Sequence, residues 1–592
     1  MKILIVGAGG REHSIAWKAA QSPQLESLAI TPGNGGMESL GDCWGLTEIG
    51  EIVSKAQAES IDLVIVGQED YLVDGIYEAL DQVGIACCGP GKEASQLEGS
   101  KVYSKDFMAR HQIPTAAYGN FSDFEQAKQF LTTLQPPYVI KASGLAAGKG
   151  VLILDSLEEA TAGLKSILLD RAFGEAGSQV VIEEFMPGEE ASYFVFTDGE
   201  NFVSMPSLQD HKRQGELDRG PNTGGMGCYV PAPVVTEEVE AQVLEQVVIP
   251  TLEGMKKDGH PYRGILYIGL MIEAGHARVV EYNIRFGDPE CQPLMMMLES
   301  DLLPIAMACA RGGLSRDLVS WKSGACANVV LASGGYPASY QKGYAIQGLD
   351  QSKTNLDRMV FHAGTKRDGS QILTNGGRVL GCTARGESLS SAINNAYGLA
   401  EQISWPGMQF RRDIGVKGLK RIMEQKQNGP MVGILMGSAS DKKIALKAAG
   451  IFKEFGIPFE AMVASAHRTP ERAHGFIHDC EAQGVEVFIA IAGLAAHLPG
   501  VVASATVLPV IGVPVDSNLD GADALYSIVQ MPPGIPVASV GIGRGENAAL
   551  LAIQILGAKY PELKQIHQEY RIKMAEKVVA SQAEIDEALG NL

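Results

Sequence analysis

The sequence has no apolar run approaching the ~20 residues that span a bilayer, which argues for a soluble protein. It opens directly on Ile3-Leu4-Ile5-Val6, without the basic stretch, apolar core and cleavage site of a secretory leader, so a cytoplasmic location is expected. The nine cysteines contain no CxxC pair, and Cys87 and Cys88 are adjacent. The odd, scattered set points to reduced packing residues and away from a disulfide framework or a structural zinc site. Basic charge is also scarce: 49 Lys and Arg against 69 Asp and Glu give a net charge of -20. Long-range repulsion then disfavours nucleic acid and anionic membrane partners, and an anionic substrate must be met by local basic sites.

What the chain has in place of these is repeated α/β punctuation. At ~150 residues per domain, 592 residues predict about four domains. Strand-like runs at Ile3–Val6, Leu28–Ile30 and Leu63–Val66 alternate with helical patterns, as in a parallel sheet over residues 1–100. Residues 101–326 carry a helical pattern to His111, the strand Tyr138–Lys141, a Gly-rich stretch to Gly150, and strands near Val151, Val180, Tyr193 and Val279. Turns such as Thr374-Asn375-Gly376-Gly377 predict a smaller strand-rich domain over 327–424. After a polar linker at 425–430 the chain begins again: Val432–Met436 runs into Gly437-Ser438-Ala439-Ser440-Asp441, and 431–592 alternates strand and helix before a charged helical tail from Tyr560.

Gly7-Ala8-Gly9-Gly10-Arg11-Glu12-His13 follows a strand and opens a helix, so its amides and the helix dipole suit a phosphate. A dinucleotide site would need a third glycine and an acid ending the next strand, which instead ends in Thr31-Pro32-Gly33-Asn34-Gly35. Lys101 and Lys141 precede a loop, Ser143 to Gly150, able to close over a triphosphate, and the spacing is not that of a Walker motif. Glu183 and Glu190 suit a nucleoside, and Glu281 and Asn283 share a strand face at period two, suiting magnesium that carries phosphate oxygens. Taken singly, such acids are ordinarily solvated surface.

The stretch 1–424 closely resembles the glycinamide ribonucleotide synthetase family of ATP-grasp ligases. The resemblance rests on Gly9-Gly10-Arg11-Glu12-His13, Leu97-Glu98-Gly99-Ser100-Lys101, the loop to Gly150 with Gly148, Gln209-Asp210-His211-Lys212-Arg213, Gly220 to Gly227, Asn283-Ile284-Arg285-Phe286-Gly287-Asp288, Phe361 to Thr365 and Thr374 to Arg378. It implies an α/β pre-ATP-grasp domain, ATP-grasp lobes with a mobile lid at about 119–190, and a small strand-rich C-terminal domain. It also implies attack of glycine's carboxylate on the γ-phosphate of ATP and capture of glycyl phosphate by phosphoribosylamine, with Mg2+ or Mn2+ on Glu281 and Asn283. Lys101, Lys141, Gly148, Glu183 and Glu190 would bind ATP. Arg285, Lys212 and Asp210 would serve catalysis, and Gly9, Gly10 and Glu69 would bind phosphoribosylamine. The segment Gly67-Gln68-Glu69-Asp70-Tyr71-Leu72 departs from the family's Gly-Pro-Glu-Ala-Pro-Leu, and Ser143 stands where an Asp is usual. A synthetase making the carboxyamino substrate, or a noncatalytic scaffold, are the alternatives; the Asp-His-Lys-Arg string and the acids and bases present favour glycine ligation.

In the C-terminal region three loops follow parallel-type strands: Gly437 to Asp441, Ser465-Ala466-His467-Arg468-Thr469-Pro470, and Gly493-Leu494-Ala495-Ala496-His497-Leu498-Pro499-Gly500. Ser438, Ser440 and Asp441 suit a ribose phosphate, although Ser and Asp also favour a helix N-cap. Convergence of three loops on one sheet edge makes His467 a candidate proton carrier. With Tyr526 to Pro532, these strings resemble class I 5-(carboxyamino)imidazole ribonucleotide mutase, implying a flavodoxin-like three-layer α/β/α domain with a parallel sheet. The resemblance implies carboxylate migration without cofactor, with His467 shuttling the proton. Ser438, Ser440, Asp441, Ser465, Ala466, Arg468, Gly493, His497 and Leu498 would line carboxyaminoimidazole ribonucleotide. It further implies a homo-oligomer, an octamer through this domain. Leu494 replaces a frequent glycine, and His474 with His478 lacks an evident third metal ligand.

Overall fold

The computed structural model describes residues 1–592 apart from 146–149, 352–353, 426–428, 518 and 591–592, and of 583, 584, 587, 588 and 590 only the backbone. The chain forms two compact units, Met1–Gly415 and Val416–Leu592. Among the described residues no helix is long and apolar enough to cross a membrane.

The first unit begins with a five-stranded parallel sheet in the order Asp42–Cys43, Ser27–Pro32, Lys2–Gly7, Leu63–Val66, Ala86–Cys88. Ile3 and Ile5 enter one apolar cluster with Trp17 and Leu294, while Leu4 and Val6 enter another with Ile52 and Phe107. Burial on both faces is why this central strand reads as an unbroken apolar run. Strands leave Lys2–Gly7 first to one side and then to the other, which opens a crevice at the carboxyl ends.

A lobe follows in which Tyr118–Phe121, Val180–Glu183, Tyr138–Ala142 and Val151–Leu154 form an antiparallel sheet. Its helices Phe124–Leu131 and Leu157–Leu168 start where Asp123 and Ser156 accept the amides of Gln126 and Glu159. Leu131, Ile140, Leu164 and Ile182 give the lobe its own core. A second antiparallel sheet, Phe202–Ser204, Glu189–Asp198, Arg263–Glu273 and His276–Asn283, forms the opposite wall.

The strand-rich domain expected over 327–424 is less self-contained than its sequence suggests. Its sheet, Gln209–Asp210, Gly227–Val230, Ala325–Ala332, Arg378–Gly386 and Arg358–His362, takes two strands from before residue 326. The excursion bearing Asp210 and Lys212 leaves the ATP-grasp lobes to pair there, so that loop is anchored at both ends. The helix Val416–Gln425, expected at the end of this domain, instead belongs to the second unit, where it packs on Glu562–Gly590. Leu419 and Met423, four residues apart, are buried, and Lys420 Nζ lies 3.0 Å from Glu569 Oε1. That apolar stripe needs a partner helix, and the tail supplies it.

The second unit is a parallel sheet in the order Phe459–Val463, Val432–Met436, Val487–Ala492, Val510–Pro514, Ala538–Ser539. Pro470–Ala482 and Leu498–Ala505 cover one face through Phe476, Ile477 and Val502. Lys442–Phe455 and Gly545–Leu556 pack together against the other face, completing the three-layer flavodoxin-like order expected.

Candidate active sites in the two units

In the first unit, one cavity of about 530 Å³ runs from the carboxyl edge of the N-terminal sheet to the lid lobe. Gly9 and Glu69 line one end; Lys101, Lys141, Glu183 and Glu190 line the other; Asp210, Lys212, Glu281, Asn283 and Arg285 lie along it. Gly10 is not on its wall, and Gly148 lies outside the described residues.

Lys101 begins the helix Lys101–Arg110, whose start is fixed by Ser100 accepting the Tyr103 amide. One turn later the same helix presents Lys105, which sequence reasoning missed. Glu183 is buried between two ammonium groups, Lys141 Nζ at 3.0 Å and Lys105 Nζ at 3.2 Å. Lys105 also donates to Thr115 Oγ1 at 2.7 Å, and burial lowers its pKa to about 8 although Glu183 opposes the shift. The i, i+4 spacing of Lys101 and Lys105 was the available signal.

Lys212 reaches across the cavity, 3.4 Å from Glu190 and 3.7 Å from Glu281. Glu190 foremost raises its pKa well above the ordinary lysine range. Burial works to raise Glu281, but Lys212, Lys141, Lys101 and Arg285 outweigh it and keep the carboxylate ionised. Asp210 is pushed the other way, by burial and then by the charge of Glu290, despite Lys212. Glu281 and Asn283 offer two hard oxygen donors to the cavity, and among the described residues no group of three His, Cys, Asp or Glu could hold a metal alone. That donor set fits a divalent cation whose remaining ligands are phosphate oxygens and water.

At the other end the expected phosphate turn differs in detail. The Gly9 amide donates to Glu12 Oε2 at 2.6 Å, and Glu12 Oε1 accepts from Arg11 Nε at 2.6 Å. Glu12 is fully buried, reaching back from the third helix position as a capping-box acid does. The Gly9 amide is thus committed to a side chain that the phosphate reading passed over. Gly10 packs on Gln292, whose Nε2 would lie 2.5 Å from an added Cβ. Glu69 sits beside Arg285 and Arg11; burial would raise it, yet the two guanidiniums hold it at about 2. Arg285 also pairs with the buried Glu98, a second residue missed. Arg378, from the strand-rich domain, donates to the Asp288 carbonyl and faces its carboxylate at 3.5 Å.

In the second unit the three expected loops occupy adjacent strand ends. Ser438 caps the turn Ala439–Asp441, and Asp441 Oδ2 accepts the Ser438 amide at 3.0 Å while Ser440 Oγ donates to Asp441 Oδ1 at 3.0 Å. The N-cap role is therefore real, and burial raises the Asp441 pKa. Ser465 Oγ accepts the Arg468 amide at 3.2 Å, and Ala466 is half-buried beside it. His467 and His497 meet edge to face with ring centroids 4.8 Å apart, both exposed on this chain. Leu498 is buried at the start of its helix. Gly493 lies against Val515, 3.3 Å from an added Cβ. Leu494 has φ +56°, the left-handed region where glycine is at ease, and its amide donates to Ser517 Oγ at 3.3 Å. His474 and His478 are exposed on the helix Pro470–Ala482.

Comparison with known proteins also divides the chain in two, between residues 417 and 431. Residues 1–98, 99–291 and 326–417 match the N, ATP-grasp (A) and C domains of phosphoribosylglycinamide synthetase, and residues 431–577 match AIR carboxylase. A phosphoribosylamine–glycine ligase of Vibrio vulnificus is 50% identical over 428 residues, 71% of this chain and 99% of the relative. The crystal structure of the Thermotoga maritima phosphoribosylamine–glycine ligase superposes with TM-score 0.63 at 36% identity, covering 70% of this chain and all of that one. A biotin carboxylase domain from Hydrogenobacter thermophilus, at 16% identity and TM-score 0.55 over 72% of this chain and 94% of its own, shares the fold.

Proposed function

The chain belongs to the phosphoribosylglycinamide synthetase family and carries an AIR carboxylase domain behind it, and from that premise we propose that it performs two separate steps of purine biosynthesis. The first unit joins glycine to phosphoribosylamine at the expense of ATP. The observation that carries this is the single cavity in which Lys101, Lys141 and Lys212 meet Glu281, Asn283 and, at its far end, Glu69. A glycine carboxylate oxygen attacks the γ-phosphorus and ADP departs. The amine of phosphoribosylamine then attacks the acyl carbon, inorganic phosphate leaves, and the nitrogen gives up a proton. Lys141 and Lys212 offset the charge of two anions brought together. Mg2+ or Mn2+ held by Glu281 and Asn283 would neutralise phosphate oxygens. The Lys141-bearing lobe, with its own core, closes over the cavity and keeps water from the acyl phosphate. Glu69, whose carboxyl Arg285 and Arg11 hold well below the usual carboxylate range, accepts hydrogen bonds from the ribose hydroxyls. The family match also removes the reason to read the first unit as a synthetase of the carboxyamino substrate.

The second unit converts 5-(carboxyamino)imidazole ribonucleotide to 4-carboxy-5-aminoimidazole ribonucleotide. The N–carboxylate bond breaks, the nitrogen gains a proton, carbon dioxide adds to the ring carbon, and that carbon's proton is removed. His467 carries the proton, and the contact with His497 supports this because it turns two loops toward one point. Direct carboxylation of aminoimidazole ribonucleotide is the second reading, favoured by the name of the matched family. Cytoplasmic residence and a homo-octamer formed through this domain remain parts of the proposal. Supplying ATP, glycine and phosphoribosylamine, and separately carboxyaminoimidazole ribonucleotide with bicarbonate scavenged, tests both halves. Amide product from the first mixture and carboxylated product from the second are expected; a bicarbonate requirement in the second would establish direct carboxylation instead.

A further inference from the structure

Arg285 emerges just beyond the strand His276–Asn283, beside the residues assigned to the phosphates, yet its guanidinium is held by two carboxylates. Nε donates to Glu69 Oε2 at 3.1 Å and Nη2 to Glu98 Oε1 at 2.8 Å. The two anchors differ in kind. Glu98 is 9% exposed and its other oxygen accepts the Ile284 amide at 2.8 Å, fixing it to the same stretch of chain that carries Arg285. Glu69 is 26% exposed, begins the short helix Glu69–Val73 and lies on the cavity wall. With Nε on Glu69 and Nη2 on Glu98, these faces of the Arg285 guanidinium are committed to carboxyl groups and turned away from a polyanion.

We propose that the Glu69–Arg285 ion pair is a latch that phosphoribosylamine opens, with Glu98 the positioning residue that keeps Arg285 in place when Glu69 lets go. The inference rests on the ribose contact of Glu69 given above. A vicinal diol that donates to both oxygens of the Glu69 carboxylate takes Oε2, the one oxygen that Arg285 uses, so occupancy of the ribose site frees the Arg285 Nε face for the transferring phosphoryl group. Without the latch, ATP and glycine would give ADP and glycyl phosphate, and water would return glycine and inorganic phosphate, consuming ATP for nothing. With it, phosphoryl transfer waits for the amine acceptor.

The decisive measurement uses the intact chain and glycine-dependent ADP release without phosphoribosylamine. Ribose 5-phosphate carries the hydroxyls and the phosphate but no amine, so it should open the latch without accepting the glycyl group. It is expected to stimulate glycine-dependent ADP release about tenfold, within the ordinary range for coupling between two sites. Glu69→Gln should raise the same release by a similar factor without ribose 5-phosphate, while raising KM for phosphoribosylamine. Glu98→Gln should instead lower kcat of the complete reaction with little change in that KM. Ribose 5-phosphate that competes with phosphoribosylamine yet leaves ADP release unchanged overturns the latch, as does a folded Glu69→Gln protein with no rise. If the wild type made no amide product at all, the ligase reading itself would fall, and a normal yield with no stimulation would isolate the failure to the latch.

Discussion

In the first unit Lys105, Lys141, Lys212, Arg285 and Arg378 are each paired with a carboxylate around one cavity, whereas in the second unit serine hydroxyls, two imidazoles and the exposed Arg468 sit on open strand ends. The chemistry proposed for each explains the contrast. Phosphoryl transfer between anions gains from charge fixed in a water-poor space. Migration of a carboxylate through carbon dioxide needs a proton carrier more than a field. The contrast also has a cost on one side only, because buried ion pairs lose strongly when one partner is removed.

The comparison breaks most sharply if a charge deletion in one unit damages the other. Lys212→Met removes the ammonium facing Glu190 and Glu281, and the ligase kcat is expected to fall about 10³-fold while carboxylate migration is unchanged. His467→Asn should do the reverse, lowering migration by about 10³-fold or more. Assaying both reactions on each purified variant checks this, and a folded variant losing both activities would show that the units do not act independently.

The boundary between the units gives the next largest effect. A second unit starting at Met431 lacks Val416–Gln425, and with it the buried Leu419 and Met423 and the Lys420–Glu569 pair. It should be less stable by about 4 kcal/mol than one starting at Val416, since burying each such apolar side chain contributes roughly 2 kcal/mol. Urea unfolding of the two fragments measures the difference. Equal midpoints would return the helix to the first unit.

The linker is legible as composition, since Gln425 to Pro430 is polar and ends in Gly-Pro, but composition does not say which helix the amphipathic stripe just before it packs against. For the same reason Glu98 and Lys105 went unassigned. Each is one acid or base in a helix, and its partner, Arg285 or Glu183, is distant in sequence. The parallel strands, by contrast, declare themselves locally through runs buried on both faces, and the loops at their ends follow from strand order. Glu12 shows the limit of a motif: Gly9-Gly10 suggests a free amide, but the acid two residues on takes it.

Acid sharpens the contrast in a different way. His13 and His362 lie in the first unit with ring centroids 5.5 Å apart, and the His362 amide donates to His13 Nδ1 at 2.8 Å. Burial first, then the charge of His362, lowers His13 from 6.5 to about 3; burial and Arg367 lower His362 to about 4. Between those values and 6.5 the unfolded chain binds protons that the folded one refuses. Stability is therefore fully present above about pH 6.5 and is lost as pH falls through that window, by about 2 kcal/mol per imidazole at pH 5. Melting the first unit from pH 7 to 5 should show this decline, and His362→Asn should flatten it. An unchanged slope would mean that other groups set the acid limit.

The smallest effect belongs to the open site and tests whether its geometry carries strain. Leu494 holds φ +56° with more than half of its surface exposed, so its side chain contributes little burial while its Cβ opposes the left-handed backbone. Leu494→Gly removes that opposition but gives the unfolded chain more freedom, and the two terms are similar in size. The net change in stability should be a gain of no more than about 1 kcal/mol, read from the unfolding midpoint of the second unit. The more telling measurement is migration activity, because a looser backbone at 494 no longer holds the loop that brings His497 against His467. A modest gain in stability with a loss of kcat would show that this loop is strained in order to place the imidazole, giving the open site a counterpart to the charges stored around the first unit's cavity.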